Sequence, residues 1–213
     1  MGLPWMLDII DKKTLRVFAH QSVKNDAVWL RVFRDALVKF NDLKLGVTLV
    51  EEPNDPPDPL TLAGAHVQFA TGGGTITAQA RGKSQSGTLA GTDLHGHTFT
   101  FRDPGIAKAF IFVPATPTIG GGGRQAGEPI RLYIAVHELL HACGLEDSDH
   151  NPEATPDVFC SEPTASMNPI QGATDADDRM RVGPPRGPDK SNIFPPIKAN
   201  GRTRTGIQRL WNP

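Results

Sequence analysis

The chain has 213 residues, and its 22 Lys and Arg residues against 23 Asp and Glu residues give a formal net charge of −1 at pH 7. This balance, with a pI near 6.6, gives no electrostatic basis for binding nucleic acid or an anionic membrane. The length suffices for one domain with a sizeable core, and no apolar run approaches the roughly 20 residues that a membrane span requires. We therefore expect a folded domain with neither a nucleic-acid partner nor a membrane span.

The N-terminal residues 1–13 do not resemble a secretory signal. They carry no basic n-region, and Pro4 and Asp8 interrupt their short apolar stretch. We therefore expect a protein that is cytoplasmic or is exported by a signal-independent route.

The N-terminal third predicts three strands and one long helix. Residues 14–20 alternate apolar and polar side chains, as a strand does, and residues 45–50 and 65–70 predict two further strands. Residues 26–43 place apolar side chains mostly at helical spacing, which predicts an amphipathic helix packed on a sheet. A loop rich in Pro and Asp is expected at residues 51–59.

Residues 72–91 are rich in Gly, Ser, Thr and Gln, but they contain no nucleotide-binding motif. The run Gly82-Lys83-Ser84 ends like a phosphate-binding loop. However, Thr77 stands where that loop requires its first glycine. We therefore expect no nucleotide cofactor.

Two more strands are expected before the segment that carries the chemistry. Residues 98–102 alternate like an edge strand, whereas residues 109–113 are wholly apolar, as in a strand buried on both faces. His95 and His97 precede the edge strand in a segment flanked by glycine. They would either hold a second, structural metal ion or lie in a solvated turn.

The motif His-Glu-Leu-Leu-His is the most informative part of the sequence. His137 and His141 are four residues apart, so a helix projects them from one face, where two neutral imidazoles can bind one zinc ion at roughly 2.0–2.1 Å. Glu138 lies beside them, where a general base for a zinc-bound water is needed. Pro129 suits the first turn of this helix, and Gly144 suits the left-handed residue that ends it.

These residues resemble the motif of the metzincin clan of zinc peptidases, HExxHxxGxxH or, less often, HExxHxxGxxD. The match is one for one at His137, Glu138, His141 and Gly144. The resemblance implies a third zinc ligand just beyond the glycine. The family's spacing puts Asp147 there, whereas His150 offers the nitrogen ligand that is usual in the clan, and we favour His150. Asp147 or Asp149 would then accept a hydrogen bond from a ligand imidazole.

A second resemblance lies at residues 165–169, Ala-Ser-Met-Asn-Pro, which look like the Met-turn of a metzincin zinc site. It implies that Met167 packs beneath the metal-binding histidines without binding the ion. A flexible thioether suits that role, because it fills an irregular gap under the rings.

The C-terminal part predicts an irregular segment followed by a helix. Residues 175–200 are polar and rich in proline, which indicates an irregular wall of the cleft. Residues 203–211 have helical spacing and resemble the closing helix of the matrixin branch of the clan. Cys143 and Cys160 would either form one disulfide bridge or remain two buried thiols.

Together these features imply one α+β metallopeptidase domain over residues 1–213, with a metzincin-like fold. Its expected parts are a twisted mixed β-sheet of about five strands, two long helices (one with the HExxH motif), a Met-turn and a C-terminal helix. Residues 1–136 would form the N-terminal subdomain with the sheet and first helix. Residues 137–213 would carry the end of the zinc helix, the Met-turn and the C-terminal subdomain. We expect a monomer with one catalytic Zn²⁺.

The resemblance implies a zinc-dependent endopeptidase that acts on peptide or protein substrates. Zinc held by His137, His141 and His150 would activate a water, and Glu138 would accept its proton and pass it to the leaving amine. Two other functions stay open: a bacterial or phage-associated peptidase toxin that acts on cell-wall peptides, and a non-catalytic zinc-stabilised binding domain. Glu138 argues against the last, because metal retention does not require that side chain.

Overall fold

The computed structural model of the protein describes residues 2, 4–54, 64–102, 104–119, 124–151, 157–160, 173–174, 179–181 and 193–212. A five-stranded sheet lies at its centre, formed by β1 (Thr14–Ala19), β2 (Thr48–Glu51), β3 (Val67–Gly72), β6 (His97–Arg102) and β7 (Ile106–Pro114). The spatial order is β2-β1-β3-β7-β6, and all neighbours are parallel except β6, which lies antiparallel to β7 at one edge. The predicted mixed sheet of an α+β protein is confirmed at this level.

Two long helices, α3 (Ala27–Asp42) and α4 (Glu128–Ala142), pack against each other and against this sheet. Two short helices, α1 (Leu7–Ile10) and α2 (Gln21–Lys24), flank β1. None of the helices in the described ranges is long and apolar enough to cross a membrane.

The helix α3 forms because a side-chain cap and an apolar stripe act together. The Asp26 carboxylate accepts hydrogen bonds from the N–H groups of Val28 and Trp29, at 2.9 and 3.0 Å, and so satisfies two donors of the first turn. The buried face recurs at helical spacing and consists of Trp29, Val32, Phe33, Ala36, Leu37 and Phe40. Burying each of the large side chains contributes about 1.5–3 kcal/mol. The helix predicted at residues 26–43 is confirmed.

A hairpin that our sequence analysis did not predict occupies residues 74–89. Strands β4 (Gly74–Ala80) and β5 (Lys83–Leu89) pair antiparallel across Arg81 and Gly82, whose φ angles of 51° and 67° suit a tight two-residue hairpin turn. Buried Ile76 and two buried alanines on β4 alternate with exposed polar residues and pack against the phenylalanines of β6 and β7. The alternation is weak in the sequence, because most of the inward side chains are small.

The described part of residues 175–200 corrects the prediction of an irregular segment. Strands β10 (Ala173–Thr174), β11 (Arg179–Arg181) and β12 (Ile193–Pro196) form a three-stranded antiparallel sheet, and another small pair joins β8 (Thr118–Ile119) to β9 (Arg124–Gln125). Strands this short leave no periodicity in the sequence. The predicted closing helix is confirmed as α5 (Gly201–Trp211), which begins where the Asn200 side chain accepts from the Thr203 N–H at 3.1 Å.

Two further predictions concern the segment around the C-terminal end of α4. Cys143 and Cys160 are two buried free thiols. Of the two alternatives, a disulfide bridge or two buried thiols, the second is therefore observed. The predicted Met-turn with Met167 lies outside the described residues.

Candidate metal centre

Three imidazoles converge at the end of α4. His150 Nε2 lies 3.2 Å from His137 Nε2 and 3.2 Å from His141 Nε2. Nitrogen ligands of a tetrahedral zinc ion, each at roughly 2.0–2.1 Å, are separated by about 3.4 Å, so the spacing fits one ion at the centre of the three. The cluster of His137, His141 and His150 could therefore hold a metal ion.

Backbone carbonyl oxygens orient the two helix imidazoles. His137 Nδ1 lies 2.9 Å from Val158 O, and His141 Nδ1 lies 2.9 Å from Leu145 O. A carbonyl oxygen only accepts, so each Nδ1 carries the proton and each Nε2 directs a lone pair into the cluster. For these two imidazoles, main-chain carbonyls take the role expected of Asp147 or Asp149, and Asp149 instead accepts from the Glu146 N–H at 2.9 Å. Main-chain carbonyls leave no signature in a sequence.

Burial keeps these imidazoles in the form that binds metal. It lowers the pKa of His137 and of His141 from 6.5 to about 4, and it lowers the pKa of His150 as well. A positive charge on His141 would lower the pKa of His137 further, and a positive charge on His150 would do the same for His141. His137 and His141 are therefore neutral at pH 7, so a cation can bind their Nε2 atoms without displacing a proton from them.

The chain reaches His150 by a reversal at Gly144. This glycine has a φ of 109°, and the N–H groups of Gly144 and Leu145 bond back to His141 O and Leu140 O at 2.9 and 3.4 Å, which ends the helix in a Schellman motif. A turn of 3₁₀ helix, Asp147–Asp149, then takes up the three residues that separate this chain from the family's spacing.

Asp147 lies beside the cluster and is not a member of it. Its Oδ1 is 3.7 Å from His141 Nε2, and its side chain is 94% exposed, whereas that of His141 is 12% exposed. The geometry thus favours His150 over Asp147 as the third ligand, although the ligand assignment itself stays a prediction.

Two tryptophans anchor the end of α4 from opposite ends of the chain. The indole N–H of Trp5 donates to Ala142 O at 2.9 Å, and that of Trp211 donates to Cys143 O at 3.0 Å. The last carbonyls of a helix lack partners within it, so these bonds satisfy two groups that would otherwise be buried without one. They fix the helix end from which His141 and the following turn extend.

Phe159 forms a floor beneath the three imidazoles, and sequence reasoning missed it. Its ring centroid lies 5.1, 4.8 and 4.5 Å from those of His137, His141 and His150, respectively. The side chain is fully buried. The resemblance to a Met-turn implied a packing role of this kind for Met167, which lies outside the described residues. The only sequence signal for Phe159 is its place in a short apolar run before the predicted Met-turn.

Replacing Phe159 by Ala should weaken zinc binding about 10- to 100-fold, because the rings lose the surface that fixes their orientation. Competition with a chromophoric chelator measures this affinity. Phe101→Ala is the matched control, since it removes the same ring from the cluster around the hairpin. The control should lower stability and leave zinc affinity unchanged. Equal affinities for Phe159→Ala and wild type would show that the floor does not orient the ligands.

A buried polar network connects the segment after His150 to α5. Asn151 Nδ2 lies 2.9 Å from Thr203 Oγ1 and 3.1 Å from Phe159 O, and it also contacts the Asp157 carboxylate. Thr203 Oγ1 donates to Asp157 Oδ2 at 2.6 Å. Burial raises the pKa of Asp157 from its usual value. The network holds Asn151 and Asp157, which lie next to His150 and two residues before Phe159, respectively.

Glu138 places a carboxylate in the same cavity as the three imidazoles. Its buried carboxylate accepts hydrogen bonds from the Gly96 N–H at 3.1 Å and from Thr98 Oγ1 at 2.8 Å. A cavity of about 630 Å³ is lined by this residue, by the three imidazoles, by Tyr133 and Ile134 of α4, and by residues 94–98. A carboxylate and a potential metal site thus face the same space.

A smaller groove of about 230 Å³ adjoins this cavity along β6. Thr98, His141 and Asp147 line both spaces, and the groove continues past Thr100 and Arg102. The two spaces together follow the direction of the edge strand. An extended chain laid along β6 would therefore pass the imidazole cluster.

The structure does not support a second metal site at His95 and His97. The His95 side chain is exposed and lies 3.8 Å from an Asp93 oxygen, while His97 packs on Phe99 with ring centroids 4.4 Å apart. In the described part of the chain, His137, His141 and His150 form the only group of three or more His, Cys, Asp or Glu side chains close enough to share an ion. The alternative of a solvated turn fits His95.

The arrangement supplies what metal-assisted hydrolysis requires: neutral nitrogen ligands, a carboxylate next to them, and a cleft open to a substrate.

The chain matches no protein-family model and no curated protein.

Proposed function

We propose that the protein is a zinc-dependent endopeptidase of the metzincin clan. One observation carries the proposal: the Nε2 atoms of His137, His141 and His150 converge beside the Glu138 carboxylate in one cavity. Three imidazoles that leave a fourth position open are a typical ligand set for catalytic zinc. The residue types also match the clan's motif through Gly144.

The position of the edge strand supports a peptide substrate. β6 ends the sheet, runs antiparallel to its neighbour and lies beside α4. An extended peptide can add to such an edge through main-chain hydrogen bonds, with alternate side chains entering pockets. The cavity and the adjoining groove follow this strand on both sides of Thr98, which suits an enzyme that cuts within a chain.

The mechanism assigns a role to each residue of the site. His137, His141 and His150 would hold the zinc ion, which when bound lowers the pKa of water towards ~7 and polarises a carbonyl group. Glu138 accepts the proton of the attacking water. It then delivers that proton to the nitrogen of the leaving amine, so the carboxylate is regenerated and no proton is gained or lost over the cycle.

Two alternatives differ from this proposal in the target or in the presence of catalysis. A peptidase toxin that acts on cell-wall peptides would use the same residues on a different substrate. A non-catalytic zinc-stabilised binding domain would need the imidazoles only. The hydrogen bonds that hold Glu138 at the cavity favour the catalytic proposals.

Removing the metal from the active protein tests the proposal. We expect the zinc-reconstituted protein to cleave members of a mixed peptide library, to lose this activity with a chelator and to regain it with added zinc. Mass spectrometry of the products measures cleavage, and purified peptidoglycan is tested in parallel. Cleavage of peptidoglycan alone would support the cell-wall alternative. A protein that binds zinc and cleaves neither substrate would be the binding domain.

A further inference from the structure

We propose that Gly96 and Thr98 are positioning residues that hold the Glu138 carboxylate at the cavity. This inference deepens the proposed peptidase function and rests on it. Both residues belong to the chain at the start of β6, and they are separated from Glu138 by 42 and 40 positions in the sequence. The same strand that borders the substrate groove thereby also orients the general base.

Each carboxylate oxygen receives one hydrogen bond from this strand. Glu138 Oε1 accepts from the Gly96 N–H at 3.1 Å, and Oε2 accepts from Thr98 Oγ1 at 2.8 Å. Two bonds to different oxygens fix the rotation of the carboxylate plane as well as its position, and hydrogen bonds to a charged group are stronger than neutral ones. A carboxylate oxygen has two lone pairs, so one remains on each oxygen for a water.

Gly96 permits this approach because it has no side chain. A Cβ atom at this position would lie 2.6 Å from Cγ and 2.8 Å from Cδ of Glu138, and 2.8 Å from Phe112 O. Contacts below 3.0 Å require something to shift, and the Phe112 carbonyl belongs to β7, which lies between β3 and β6 in the sheet. Any other residue at position 96 would therefore force the Glu138 side chain or the β7 main chain to move.

Thr98 can stay bonded while Glu138 gains and releases a proton. Its hydroxyl lies 2.8 Å from Glu138 Oε2 and 3.4 Å from the main-chain oxygen of the same residue. A hydroxyl both donates and accepts, and its hydrogen rotates to suit its partners. When the water proton reaches a free lone pair of the carboxylate, the Thr98 hydroxyl keeps donating to Oε2 through the lone pair that it already occupies. The same bond remains when the proton leaves for the amine nitrogen.

Thr98→Val tests the role of the hydroxyl, because valine keeps the shape and removes only the donor. On the zinc-loaded protein we expect kcat to fall about 10- to 100-fold with KM and zinc content unchanged. Thr98→Ser should restore most of kcat. Thr88→Val on β5 is the matched control and should leave kcat at the wild-type value. A wild-type kcat in Thr98→Val, or an equal loss in Thr88→Val, would overturn the inference.

Hydrogen exchange tests the contact independently of activity. In the zinc-loaded protein, Glu138→Ala should speed exchange of the Gly96 amide at least about tenfold, whereas Glu128→Ala, on the same helix, should not. Unchanged exchange in Glu138→Ala would contradict the contact. Peptidase activity absent from a wild type that shows this protection would instead count against the proposed function alone.

Discussion

Replacing Glu138 by Gln is expected to lower the rate of peptide hydrolysis by roughly 10²–10⁴-fold while zinc stays bound. Glutamine has the same shape, but its amide cannot accept the proton of the attacking water. The existing partners accommodate it, because the Gly96 N–H can bond the amide oxygen and the Thr98 hydroxyl can accept from the amide nitrogen. The loss therefore reflects chemistry and not a collapsed site.

Steady-state kinetics and elemental analysis on the same samples separate these effects. Glu128→Gln is the matched control, since Glu128 lies at the other end of α4 and pairs with Arg31 on the surface. It should retain both zinc and activity. A Glu138→Gln protein that cleaves at the native rate would show that this carboxylate is not the base.

Replacing His150 by Ala is expected to remove most of the bound zinc, whereas replacing Asp147 by Ala is expected to retain about one ion per chain. The first change deletes the nitrogen that lies 3.2 Å from both helix imidazoles. The second deletes a carboxylate whose side chain is 94% exposed. Zinc content by elemental analysis after dialysis measures both.

The two variants also control for each other, because Asp147 begins the 3₁₀ turn and His150 directly follows it. Loss of zinc in Asp147→Ala with retention in His150→Ala would restore the family's usual spacing and make His150 a loop residue. Absence of zinc from wild type after reconstitution would remove the basis for the peptidase proposal.

The parts of the fold predicted well from sequence are those that local patterns determine. The apolar spacing of residues 26–43 predicts α3, and Gly144 predicts the end of α4. The spacing of His137 and His141 places both on one face of a helix wherever that helix lies in the fold. Each of these inferences needs only neighbours within a few residues.

The parts that were missed depend on contacts between distant residues or on the main chain. Phe159 reaches the imidazoles because the network of Asn151, Asp157 and Thr203 holds its segment, and no short pattern encodes that arrangement. Main-chain carbonyl groups orient His137 and His141. Every residue type has such a group, so the sequence does not mark the ones that take this role. Thr98 was predicted to lie in an edge strand and Gly96 in the segment before it, and only the fold brings both residues to Glu138.

The same buried network would link the binding of an ion at the three imidazoles to the docking of the C-terminal helix. Thr203 belongs to α5, while Asn151 directly follows His150 and Asp157 lies two residues before Phe159. An ion that binds only the assembled centre shifts the population towards docked α5 by the free energy of its binding. By reciprocity, detachment of α5 lowers the affinity for the ion by the same factor. A helix that contributes none of the three imidazoles would thus help to set the affinity for the ion.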